Sequence, residues 1–148
     1  MDASLLETLG RRMEAAGAAG LALPPPVLTE LGGDFRHYDE AAGVLVVRFP
    51  VEPRFQNPAG FLQGGIIVAC IDNAVGPLSY LVAPPSLTSQ LDTTFLRPVP
   101  PTDAYIEVEA RLVERTGRQL VLDARVTNPA GETVALARAT CVIVAKRA

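Results

Sequence analysis

The longest apolar stretch of the chain runs from Gly64 to Val82, and it holds one carboxylate, Asp72. A segment apolar on every side cannot lie on a surface as an ordinary amphipathic helix. It must be enclosed by other elements or cross a bilayer. Asp72, Asn73 and Pro77 interrupt the stretch, and amphipathic strands follow it, so enclosure is the expectation and a membrane span is not. A helix buried on all faces needs a curved sheet wrapped around it. At 148 residues the chain has room for one domain with a real core.

The rest of the pattern supplies that sheet. Leu5, Leu6, Leu9 and Met13 recur at helical spacing, which predicts a short amphipathic helix over residues 3–16, with Asp2 or Ser4 as N-cap. Gly17 to Pro26 breaks it. Strands are expected over Phe35 to Glu40 and over β-branched Gly43 to Val51. A loop, Glu52 to Gly60, leads to the long helix from about Gly65 to Val82, which Pro84 and Pro85 stop. Four more strands are expected: Leu87 to Leu96, Ala104 to Glu114, Gln119 to Thr127 and Thr133 to Ala145. Ile106 and Val108 alternate with Tyr105, Glu107 and Glu109, as in a strand with one buried face. The order predicts an α+β fold: a long central helix wrapped by a curved, mostly antiparallel sheet of five to six strands, plus a short N-terminal helix. Residues 1–34 are read as the N-terminal helix and its Pro/Gly-rich lead-in, and 35–148 as the main unit of a single domain.

A net charge of −3 argues against nucleic acid as the main partner. Cys70 and Cys141 both sit in apolar runs, so buried free thiols are expected. The single histidine, His37, leaves no basis for a histidine-rich zinc site. The start, with Asp2 and Glu7 before any apolar run, is not a signal peptide, so a cytoplasmic protein is expected.

Asp72 is the residue that most needs a reason. A buried ionised carboxylate without partners is costly. It is expected either to do chemistry or to be tied to a neighbouring hydroxyl, and desolvation would raise its pKa. Gly64 and Gly65 stand just before it. Glycine lets a ligand approach the backbone, and free N–H groups at a helix start favour negative charge. Gln63 and Asp72 are nine residues apart, so along a helix they lie roughly 13 Å from each other. One reacting carbon cannot be gripped by both from the same chain. A two-fold dimer solves this by setting Asp72 of one copy opposite the Gly65 turn of the other.

Taken together, Asn57, Gly60, Gln63-Gly64-Gly65 and Asp72, the strand from Thr88 that ends Phe95-Leu96-Arg97-Pro98, and the last two strands resemble the hotdog fold. More closely they resemble its PaaI-like acyl-CoA thioesterases, over roughly residues 35 to 146. The resemblance implies hydrolysis of an acyl-CoA thioester, with coenzyme A as part of the substrate and no separate cofactor. It implies a homodimer at minimum, with a homotetramer as the larger option. Asp72 would be the general base or the nucleophile. The N–H of Gly65 would receive the charge that develops on the thioester oxygen.

One departure stands out, because Gln63 occupies the place of the family's histidine. An amide can donate to a carbonyl but cannot carry a proton. A non-catalytic acyl-CoA binding or sensing module is therefore the alternative. A hotdog dehydratase would need a histidine here and is set aside. Asn57 would hold water or the acyl carbonyl, or simply shape the turn before Pro58. Thr88 would position water near the carboxylate, or be a strand threonine. Phe61, Leu62, Gly64 and Ile66 are candidates for an acyl pocket, with core packing the alternative for the apolar ones. Arg97, Arg115, Arg118, Lys146 and Arg147 are the candidate partners of coenzyme A phosphates.

Overall fold

A computed structural model describes residues 3–16 and 20–144. Helix α1 (Ala3–Ala15) and a short α2 (Pro26–Glu30) precede strands β1 (Asp34–Asp39) and β2 (Val44–Pro50). A single 3-10 turn (Pro53–Phe55) leads into the long helix α3 (Gly64–Val82). Strands β3 (Ser86–Phe95), β4 (Tyr105–Thr116), β5 (Gln119–Thr127) and β6 (Thr133–Ile143) complete the described residues. The six strands form one sheet in the order β1-β2-β4-β5-β6-β3, with every pairing antiparallel. β3 therefore runs along one free edge and β1 along the other.

The expected architecture is present. α3 begins at Gly64 and ends before Pro84, and Ile67 and Ile71 are buried. Its core side packs with Phe49 of β2, Ile106 and Val108 of β4, and Leu120 and Leu122 of β5 in one apolar cluster. α3 is long and apolar enough to cross a membrane by composition, but here it is the helix the sheet curls around. α1 adds Leu5, Leu9 and Met13 to the same cluster. The Arg12 guanidinium of α1 donates to the Leu81 carbonyl and pairs with Glu40, so a cation sits at the negative end of α3.

Three local expectations need correction. Ser4 is not an N-cap: it lies inside α1, where its carbonyl accepts from Thr8 Oγ1 at 2.9 Å. Asp2 lies outside the described residues. α2 and the turn at Pro53 were not foreseen. Both start on a proline, which fits the first helical position because the missing N–H has no acceptor there.

Candidate active site between the central helix and an edge strand

Side chains three and four residues apart share one face of a helix. Gly65, Val68, Ala69 and Asp72 therefore form a stripe on α3. That stripe lies beside Thr88 to Leu91 of β3, and together they line an open groove of about 440 Å³. Asp72 is exposed in this groove. The expectation that it is buried is thus wrong for the single chain. Its apolar neighbours face the core, while position 72 falls on the one stripe that looks over the free edge of the sheet. The polar residues α3 does bury are Ser79 and the next one along, Asn73, whose Nδ2 donates to the Ala69 carbonyl at 2.8 Å.

Asp72 is held by a partner from the strand. Thr88 Oγ1 donates to Asp72 Oδ1 at 2.9 Å. The aim of Thr88 comes from a local irregularity, a shift in the β3–β6 register between Thr88 and Gln90. Such bulges turn a side chain out of the regular pleat. Ser89, the extra residue, is anchored by its hydroxyl to the Thr140 carbonyl at 3.0 Å. Behind Thr88 lies Cys141, its direct partner across the strands, with Sγ 3.8 Å from Thr88 Oγ1. The Cys141 thiol is pushed up chiefly by burial and further by the Asp72 charge. Tyr80, two turns beyond Asp72, is also raised, first by burial and then by Cys141 and Asp72.

The helix start supplies the opposite polarity. Gln63 is the N-cap residue, and its carbonyl accepts from Ile66 and Ile67 N–H at 2.9 and 3.2 Å. First-turn amides have no acceptor within a helix, so the N–H groups of Gly64 and Gly65 face outward with the positive end of the dipole. The Gln63 side chain is exposed and makes no capping bond.

Asn57 is occupied by its turn. Its Oδ1 accepts from Ala59 N–H at 2.9 Å and from Phe61 N–H at 3.1 Å. Gly60 closes this turn at φ 85°, a conformation that favours glycine. Only the Asn57 Nδ2 group is left for a ligand. Asn57, Phe61, Leu62 and Gly64 line a second depression of about 340 Å³, together with Phe95 and Arg97. Ile66 lines neither depression and packs against the core. The sequence marks Phe95 as the aromatic of its strand motif but not as a site residue, yet its half-exposed ring lies against Gly64. A Cβ at Gly64 would come within 3.1 Å of it.

The arginines do not form one cluster. Arg97 donates to the Thr133 carbonyl, at the start of β6. Arg118 donates to the Ile143 carbonyl, at its far end, and Arg115 is the next-to-last residue of β4. Lys146 and Arg147 lie outside the described residues. A further depression, about 480 Å³, is on the outer face of the sheet, away from α3. Its charges are tied up in pairs such as Arg138–Asp123 and Arg111–Glu109, so it is not the candidate site.

The sequence matches the thioesterase superfamily over residues 59–135, and the chain belongs to that superfamily. Its fold is the hotdog fold of PaaI-like members. A phenylacetic acid degradation-related protein from Ralstonia eutropha JMP134 is 29% identical and superposes with a TM-score of 0.76, over 88% of this chain and 97% of that one. The E. coli PaaI protein, from the phenylacetic acid degradation operon, is 21% identical with a TM-score of 0.79, over 95% and 96%. A mutant thioesterase from Staphylococcus aureus subsp. aureus Mu50 is 19% identical with a TM-score of 0.73, over 78% and 96%. No curated protein matches the sequence.

Proposed function

We propose that this thioesterase hydrolyses an acyl-CoA thioester, with Asp72 as general base or nucleophile and the Gln63–Gly65 turn polarising the thioester carbonyl. The observation that carries this reading is the groove itself. It holds one carboxylate, Asp72, and the Gly65 helix start in the same cleft. These are the two polarities thioester hydrolysis requires: an electron-rich group to activate water or attack the carbonyl, and donors for the oxyanion.

The reacting groups would come from two copies of the chain. Gly65 and Asp72 are seven residues apart, about 10 Å along the helix. The uncovered edge supports a partner. β3 has free backbone groups on its outer side, and Leu87, Phe95 and Leu96 stand exposed at 61%, 50% and 48%. An open apolar edge of this kind invites pairing. A second copy on it would bring its own Gly65 turn to Asp72 and would desolvate the carboxylate.

The alternative, a binding or sensing module, draws on Gln63, which cannot shuttle a proton. Thiol release from a panel of acyl-CoAs tests the two readings. Because two similar structures are named for phenylacetic acid degradation, phenylacetyl-CoA is included in that panel. Release above background on at least one substrate supports hydrolysis. Tight binding with no release on any of them supports the alternative.

A further inference from the structure

We propose that Cys141 is a positioning residue: its S–H donates to Thr88 Oγ1, fixes the Thr88 proton on Asp72 Oδ1, and leaves Asp72 Oδ2 as the oxygen that works in the groove. A threonine hydroxyl has one proton. Here that proton is committed to Asp72 at 2.9 Å, so toward Cys141, 3.8 Å away, Thr88 Oγ1 can only accept. Cys141 must then be the donor. It is 1% exposed and stands directly across from Thr88 in the β3–β6 register. Burial above all keeps the thiol protonated, and Ser86 is the other hydroxyl beside it. Ser86 gives its own proton to Ser79 Oγ at 2.9 Å, so Ser86 is the rival acceptor. The choice between them has a consequence. With Thr88 as acceptor, the Thr88 rotamer is fixed from both sides and the two oxygens of Asp72 become inequivalent. With Ser86 as acceptor, Thr88 is held by Asp72 alone.

The idea rests on Asp72 being the reactive carboxylate, so its test has an arm that does not need turnover. The infrared S–H stretch falls in frequency when a thiol donates a hydrogen bond. One S–H band should vanish in Cys141→Ala, and that same band should move up in Thr88→Val. Bands that superimpose between wild type and Thr88→Val overturn the proposal and point to Ser86. In the kinetic arm, Cys141→Ala should lower kcat roughly three- to tenfold with KM unchanged, the scale of one neutral hydrogen bond. Cys141→Ser, which keeps a donor, should recover most of that loss. Wild-type kcat in Cys141→Ala also overturns the proposal. If no acyl-CoA is hydrolysed at all, the functional reading falls while the infrared arm still decides the hydrogen bond. If Cys141→Ala does not fold, the Thr88→Val spectrum decides it.

Discussion

The Thr88 hydroxyl reaches across from the edge strand to the Asp72 carboxylate of the central helix, Oγ1 to Oδ1 at 2.9 Å. The bond links the two elements that line the groove. It satisfies one oxygen of the carboxylate and orients the other. Hydrogen bonds to a charged group are worth about 1.5–3 kcal/mol. Thr88→Val should therefore lower turnover roughly ten- to a hundredfold. Thr88→Ser, which keeps the hydroxyl, should stay close to wild type. Steady-state kinetics on the best acyl-CoA check both.

Gln63 has an exposed side chain with no cap to make, at the end of the helix that carries positive charge. If it donates to the thioester oxygen, Gln63→Ala should cost roughly ten- to a thousandfold in turnover, the range for one oxyanion donor. Gln63→His should keep or raise the rate. An unchanged rate in Gln63→Ala would remove residue 63 from the mechanism and leave the Gly65 amide as the donor.

The two-chain site has its own signature. Asp72→Asn and Gln63→Ala chains, each slower than wild type alone, should regain activity when unfolded together and refolded as a mixture. A hybrid dimer then carries one site with both native residues and one with neither. Mixtures no faster than the sum of their parts would place the whole site within one chain.

Cys70 gives a prediction about pH. Burial raises its thiol from the ordinary 9.0 to about 12, so the folded state holds this proton longer than the unfolded state does. Its contribution is fully present below about pH 9 and is lost as pH climbs toward 12. Denaturant titrations should show stability falling above pH 9, by at most about 1.4 kcal/mol per pH unit for each such thiol. Cys141 shifts in the same direction. Cys70→Ala should flatten the slope without abolishing it. A slope unchanged by the substitution would mean that Cys70 ionises equally in both states.

The fold is tight behind α2. A Cβ on Gly33 would lie 2.3 Å from Leu28 Cδ1 and 2.9 Å from Phe49 Cε1, both deeply buried side chains. Gly33→Ala should destabilise the protein by about 1–3 kcal/mol, the usual cost of overpacking. Thermal unfolding would show it as a lowered Tm.

Most of the fold was legible because it rests on period. The all-round apolar helix called for a wrapping sheet, and the alternating segments supplied it. β5 was placed to the residue. What stayed hidden depends on neighbours far along the chain. Hydropathy around Asp72 reports that its flanks are buried, but not that its own stripe faces an uncovered edge. The spacing 65, 68, 69, 72 was the available signal. The Thr88–Cys141 pairing joins residues 53 positions apart, and no local pattern encodes that register. The arginines look alike in sequence, yet Arg97 and Arg118 sit at opposite ends of β6. The prolines at the start of α2 read as a break, and Pro53 as part of a loop, because the same residue both ends helices and starts them.

The central claim is that Asp72 drives hydrolysis, and it is tested most directly by comparing thiol release from acyl-CoA by wild type and Asp72→Asn. Asp72 is exposed in the single chain, so the asparagine variant should fold normally, which circular dichroism and Tm can verify. The account predicts measurable turnover in wild type and a loss of at least about a hundredfold in Asp72→Asn, the scale of a lost general base. A folded Asp72→Asn protein that hydrolyses the same substrate at the wild-type rate would contradict it.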